Sequence, residues 1–133
     1  MPTSALARKL LVKPGHHVAV MSSPAGYADL LRPLPEGAEL VDSPQEPVDV
    51  VQVFVRDAAE LERAAPAAIK AMKPDGLLWV CYPKGGQKAG TDLHRDVLWD
   101  LMDKLTGLVG VSLVAVDEKW SAMRFRAADK VGT

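Results

Sequence analysis

The chain has 133 residues, with 16 Lys plus Arg against 17 Asp plus Glu and a formal net charge of −1. That balance argues against a polyelectrolyte binder of nucleic acid, which carries a basic excess. The content of 48% hydrophobic and 25% charged residues argues against a disordered chain. Residues 4–11 then read as a short amphipathic helix with Leu6, Leu10 and Leu11 on one face. Lys13-Pro14-Gly15 breaks it, and residues 16–21 follow as a first strand. Ser22-Ser23-Pro24-Ala25-Gly26 is a turn of small residues, leading to a short helix over 26–31 that Pro33 stops. Pro35-Glu36-Gly37 turns the chain into a brief strand, 38–41, ending at Asp42. Pro44 and Pro47 keep the next connection extended.

Residues 48–55 form a strongly apolar strand in which Asp49 and Gln52 are the polar members. Asp57 is placed to cap a helix whose apolar face is Leu61, Ala65, Ala68, Ile69 and Met72. Lys73 suits a helix C-terminus, and Pro74-Asp75-Gly76 reads as a tight turn in which glycine takes positive φ. The unbroken apolar run 77–82 is the strand that organises the chain, and Pro83 ends it. Cys81 lies inside that run as the single cysteine, which excludes an intramolecular disulfide and predicts a buried hydrophobe rather than a reactive thiol. After a glycine-rich loop, Thr91 is placed to cap a helix carrying Leu93, Val97, Leu101 and Leu105 on one stripe, with Trp99 off it. Residues 111–116 and 120–126 read as a hairpin around Asp117-Glu118-Lys119. Met123 and Phe125 alternate with Arg124 and Arg126, so the last strand is half solvated and at or near a sheet edge.

Strands alternating with helices predict an α/β three-layer sandwich: a mostly parallel sheet with helices on both faces and a C-terminal antiparallel hairpin. The expectation is one domain over residues 1–133, with 127–133 a flexible tail. No apolar run reaches membrane-spanning length, and the first residues lack a signal peptide's apolar region. A cytoplasmic protein with no membrane or nucleic-acid partner is therefore expected.

Three passages resemble the Rossmann-like S-adenosylmethionine-dependent methyltransferases. Leu11-Val12-Lys13-Pro14-Gly15-His16-His17-Val18 is similar to the family's approach to its first strand, and Val48-Asp49-Val50-Val51 to its middle strand. Met72-Lys73-Pro74-Asp75-Gly76-Leu77-Leu78-Trp79-Val80 is similar to the passage entering the next strand, where the family usually has two glycines at Asp75-Gly76. The resemblance implies a small, truncated relative of that fold, with Asp42 at the acidic position that holds ribose hydroxyls. About one strand and one helix of the family pattern are missing between Asp42 and Asp49. The cofactor loop also departs from the pattern. The first strand lacks the family's acidic residue, and of the glycine-rich turn Gly26 alone survives. Without close-approach glycines, side chains occupy the space where a methionine moiety would lie. The cofactor expectation is accordingly a degenerate site in which S-adenosylmethionine is one candidate ligand.

In open α/β sheets, ligands sit beyond the carboxyl ends of the strands. That rule selects Ser22, Ser23, Gly26, Asp42, Arg56, Tyr82, Lys84 and Trp120 as the candidate crevice for a small-molecule or anion ligand. Gly85-Gly86-Gln87-Lys88-Ala89-Gly90-Thr91 has the outer glycine spacing of a phosphate loop but lacks its lysine before Thr91, so a nucleoside triphosphatase does not follow. Backbone N–H groups at the following helix start, with Lys84 and Lys88 nearby, suit a phosphate or carboxylate; the competing reading is a solvated surface loop. His16 and His17 enter the first strand at its amino end, opposite the ligand edge, and His94 lies beside the basic loop. Three functions are compatible with these residues. The leading one is a non-catalytic or ligand-sensing domain on a degenerate methyltransferase-like scaffold. The others are an active methyltransferase and a homodimeric interaction module, for which Trp99, Trp120 and the edge strand are candidate anchors.

Overall fold

The computed structural model describes residues 3–41 and 46–127. Asp42, Ser43, Pro44 and Gln45 lie outside the described residues, as does the tail beyond Ala127. The described residues form α1 (Ala5–Lys9), β1 (His17–Met21), α2 (Tyr27–Leu31), β2 (Glu39–Val41) and β3 (Val48–Phe54). The chain continues as α3 (Ala58–Ala71), β4 (Met72–Pro83), a 3-10 turn (Gly86–Ala89), α4 (Arg95–Thr106), β5 (Leu108–Ala115) and β6 (Trp120–Ala127). The six strands make one sheet in the order β2-β1-β3-β4-β6-β5. β2, β1, β3 and β4 pair in parallel, and β6 pairs antiparallel with both β4 and β5. This is the mixed, mostly parallel α/β sheet with a C-terminal hairpin that the strand and helix pattern predicts.

The two sheet faces are covered by different helices because successive side chains on a strand point to opposite faces. On one face Val51, Val53, Leu78, Val80, Met123 and Phe125 meet Leu61 and Ala68 of α3 and Leu98 and Met102 of α4. On the other, Val18, Val50, Phe54, Trp79 and Cys81 meet Leu6 of α1, Leu10 at its C-terminal end, and Tyr27 and Leu31 of α2. The Trp79 indole N–H donates to the Leu10 carbonyl at 3.0 Å, pinning the N-terminal segment across the sheet. Burial of these apolar side chains is the main stabilising contribution, about 25 cal/mol per Å² removed from water.

Several boundaries differ from the sequence expectation. Leu11 leaves the α1 face: it is 38% exposed and adopts φ 63, just after the helix. Asp57 does cap α3, accepting the Glu60 N–H at 2.9 Å, and Pro66 lies exposed inside that helix. Met72 belongs to β4 rather than to the helix, and Pro74-Asp75-Gly76 is a bulge within the strand, not a turn before it. The register passes from Val48 opposite Met72 to Val50 opposite Leu77, so four residues of β4 stand against one of β3. Gly76 does not use positive φ. Its value is space: a Cβ there would lie 3.0 Å from the Asp49 carbonyl oxygen and 2.9 Å from Met72 Cγ.

Helix α4 begins at Arg95 with His94 as its N-cap, so Thr91 does not cap it. The Thr91 hydroxyl accepts the Leu93 N–H instead, at 3.0 Å. The buried helical stripe is Leu98 and Met102, one residue round from the expected one, and Leu105 is exposed. Gly107 ends the helix at φ 75, and β5 starts at once with Leu108, three residues earlier than predicted. β5 forms the edge, and β6 lies one strand in. Ala127, assigned to the tail on sequence grounds, pairs with Leu108. Among the described residues no helix is long and apolar enough to cross a membrane.

Candidate functional site

The strand order reverses between β1 and β3. From β1 the chain crosses to β2 on one side and then reappears as β3 on the other. Such a switch point opens a crevice at the carboxyl ends of the two strands, because the connections leaving them run to opposite faces. A cleft of about 580 Å³ lies there, lined by Ser22, Ser23 and Pro24 after β1 and by Phe54, Val55 and Arg56 at the end of β3. Glu60, Arg63 and Ala64 of α3 and Trp120 at the start of β6 complete it. A neighbouring lobe of about 630 Å³ shares Arg56, Glu60 and Trp120 and extends to Asp57, Pro83, Lys84, Gly90, Glu118 and Lys119.

Each wall has a local cause. Ser22 sits at φ 59, a left-handed conformation that costs an L-residue roughly 1–2 kcal/mol and that glycine takes freely. It turns the chain sharply out of β1, and Gly26 at φ 82 turns it back into α2. Trp120 is presented by the hairpin turn. Asp117 Oδ1 accepts the N–H groups of Lys119 and Trp120 at 2.8 and 2.9 Å, and the Lys84 N–H donates to the Lys119 carbonyl at 2.9 Å. Phe54 supports the indole edge-on, with ring centroids 5.1 Å apart, and Tyr27 supports Phe54 at 4.7 Å. Below them the Tyr27 hydroxyl donates to Gln52 Oε1, both residues being buried.

Between the lobes stands an ion pair. Glu60 Oε1 accepts the Arg56 backbone N–H at 2.7 Å, and Oε2 accepts from Arg56 Nη2 at 3.0 Å. The side-chain and backbone hydrogen bonds from Arg56 hold the Glu60 carboxyl below its usual range. Glu60 and Asp57 are thus engaged at the start of α3. Among the described residues, Arg63, Lys84 and Lys119 have no carboxylate within 4 Å, while Glu118 and the capping Asp57 also line the second lobe, so the charge facing the two lobes is mixed with a slight cationic excess.

Ser22, Ser23, Arg56 and Trp120 of the sequence-selected crevice meet in the first lobe, and Lys84 joins Arg56 and Trp120 in the second. Tyr82 lines a separate hollow on the far side of Lys84. Gly26 is the residue before α2 and does not line the cleft. Asp42 lies outside the described residues. Glu60, Arg63, Lys119 and Ser121 were not singled out from the sequence. Projecting α3 from its Asp57 cap would have found Glu60, Arg63 and Ala64, which share the face turned to the strand ends at spacings of three and four. Lys119 and Ser121 required the pairing of β6 with β4. His16 and His17 do lie at the amino end of the sheet, where the His17 N–H donates to Asp49 Oδ2 at 2.8 Å. Among the described residues, no group of three or more His, Cys, Asp or Glu side chains is placed to hold a metal ion.

No protein-family model matches the chain, and no curated protein sequence does. Solved structures do match, and the fold is that of the S-adenosylmethionine-dependent methyltransferases. A SAM-dependent methyltransferase from Aquifex aeolicus aligns with a TM-score of 0.58 at 11% identity, covering 90% of this chain and 88% of that one. The N-methyltransferase NodS from Bradyrhizobium japonicum aligns at 0.57 and 14% identity, with 92% of each chain covered. The M. jannaschii tRNA m1G37 methyltransferase aligns at 0.61 and 13% identity over 92% of this chain, which spans about half (48%) of that protein. At such identities the likeness is one of fold.

Proposed function

We propose, starting from a methyltransferase-like fold, that this chain is a non-catalytic, ligand-sensing domain whose small-molecule ligand sits at the β1/β3 switch point. The observation that carries this reading is the loop leaving β1. It lines the cleft with Ser22, Ser23 and Pro24, where the family's glycines would leave bare backbone for the cofactor to approach. The cleft favours a ligand with a flat or apolar part against Trp120 and an anionic part toward Arg63, Lys84 or Lys119. Arg56 and Glu60, already engaged with each other, frame the opening between the lobes.

Calorimetric titration with S-adenosylmethionine and S-adenosylhomocysteine tests the reading, with Asp42→Ala as the variant that the family resemblance singles out. Absence of heat at millimolar ligand is the expected result. Micromolar binding that Asp42→Ala abolishes overturns it. That outcome supports the second reading, an active methyltransferase with a divergent cofactor pose, which the fold match itself favours.

A further inference from the structure

The two outer strands of the sheet differ. β2 is three residues long and starts with Glu39, so it offers another chain little to pair with. β5 is eight residues long, reads Leu-Val-Gly-Val-Ser-Leu-Val-Ala, and has no charged residue and no proline. Among the described residues nothing pairs with its outer side. Its register breaks once, at a bulge around Val111, and 112–115 then run regularly against β6. The Val116 N–H donates to the Trp120 carbonyl at 3.0 Å. By the alternation of an antiparallel ladder, Val114 then also faces β6, while Leu113 and Ala115 direct their N–H and C=O groups outward. Such an edge is a template for another strand unless charge, proline or a cover blunts it.

Apolar side chains continue this edge on one sheet face. Leu113 stands opposite Met123, which lies on the face covered by α3 and α4, and Leu113 is 45% exposed. Trp99 of α4 lies over the middle of β5. A Cβ on Gly110 would come 3.4 Å from Trp99 Cε3, and the tryptophan is 45% exposed. Along α4, Trp99 is the centre of an exposed stripe at spacings of four: Arg95, Trp99, Asp103. The carboxylate near Arg95 is that of its chain neighbour Asp96, at 3.6 Å with both side chains largely in solvent, a contact worth little. Among the described residues Asp103 has no cation within 4 Å. A stripe that is positive at one end, aromatic in the middle and negative at the other complements itself when turned end for end. A second copy supplies that match automatically.

We infer that β5 is a homodimer edge, on which a second copy lays its own β5 antiparallel about a two-fold axis perpendicular to the sheet. Such an interface is isologous and joins the two six-stranded sheets into one. The rotation sets both α4 helices on the same face, running in opposite directions. Trp99 then meets the partner's Trp99, and Arg95 meets the partner's Asp103. The paired strands carry no charge, and a net charge of −1 per chain leaves little long-range repulsion. Because the two-fold reverses every strand, the two switch-point clefts lie at opposite ends of the joined sheet. The dimer therefore does not depend on what those clefts bind.

Sedimentation velocity over a range of chain concentrations tests this. A reversible monomer–dimer equilibrium is expected, with the dimer at twice the 14.3 kDa chain mass. Leu113→Lys puts a charge on the paired edge and is expected to raise the dimer Kd roughly a hundredfold. Arg95→Asp and Asp103→Arg each set like charges together and are expected to raise it roughly tenfold. The double reversal Arg95→Asp with Asp103→Arg restores opposite charges and should return the Kd close to its original value. All three side chains are exposed in the single chain, and each reversal suits the dipole of α4, so circular dichroism should report an unchanged fold. A chain that stays monomeric at millimolar concentration overturns the inference and leaves the edge to a different partner or to none. So do species larger than a dimer, a dimer that Leu113→Lys or the single reversals leave as tight, and reversals that the double variant does not rescue.

Discussion

The Lys73 ammonium lies 2.8 Å from Asp49 Oδ1, while Oδ2 of the same carboxylate accepts the His17 backbone N–H at 2.8 Å. One side chain of β3 thereby ties the amino end of β1 to the bulge of β4, three adjacent parallel strands held at the edge opposite the cleft. Burial opposes the charged carboxylate, but the Lys73 hydrogen bond, the His17 N–H and the Lys73 and His16 charges outweigh it. The Asp49 pKa is lowered as a result. A lowered carboxyl pKa contributes stability above the unfolded value, near 4, and loses it as pH falls through the folded value. Asp49→Asn is therefore expected to lower stability by roughly 1 kcal/mol at pH 7 and by progressively less below pH 4. Urea unfolding at several pH values checks this.

Tyr27 and Gln52 form a buried polar pair under Phe54, and Gln52 Nε2 has no partner among the described residues. Tyr27→Phe removes the remaining hydrogen bond and leaves the whole amide unsatisfied, at an expected cost of about 1–3 kcal/mol. Gln52→Met removes the amide altogether and is expected to cost less than Tyr27→Phe. In the double variant the Tyr27→Phe penalty should largely vanish. Chemical denaturation of the three variants measures the coupling directly.

Gly76 faces two carbonyl oxygens, of Asp49 and Lys73, at 3.0 and 3.1 Å from where a Cβ would stand. Backbone cannot swing aside as a side-chain tip can, so Gly76→Ala must open the bulge or shift β3. A loss of about 1–3 kcal/mol is expected, seen as a lower melting temperature. Gly86→Ala serves as the contrast: its Cβ meets nothing within 4 Å, and its cost is confined to the positive φ of 53.

Cys81 is wholly buried, and burial first, then the Asp117 charge, raises its thiol pKa. The thiolate is the reactive form, so the native protein should be inert to a thiol-specific reagent at pH 8. Labelling should accelerate in denaturant in step with loss of structure. Rapid labelling of the native protein would contradict the burial.

The sequence by itself determined the sheet's strands, the helix between β3 and β4, the Asp57 cap and the hairpin. Each is a local pattern: an apolar run, a three-to-four spacing, a capping side chain. Resemblance in three short passages carried the fold class the rest of the way. The tertiary structure decided what depends on register and crossing. Gly76 looked like a turn glycine because Pro74-Asp75-Gly76 is turn chemistry, and only the nearby Asp49 carbonyl shows that it is there for space. The fully buried centre of the α4 stripe moved by one residue, to Leu98 and Met102, with Val97 and Leu101 packing at its margin and Leu105 exposed. Tyr82 and Ser121 are thirty-nine positions apart in sequence order and become neighbours through the antiparallel ladder. Ser22 and Trp120 share a cleft because the chain reverses direction across the sheet between β1 and β3. Local patterns specify which segments become strands and helices. Which loops meet is set by non-local burial, and no short stretch of sequence encodes it.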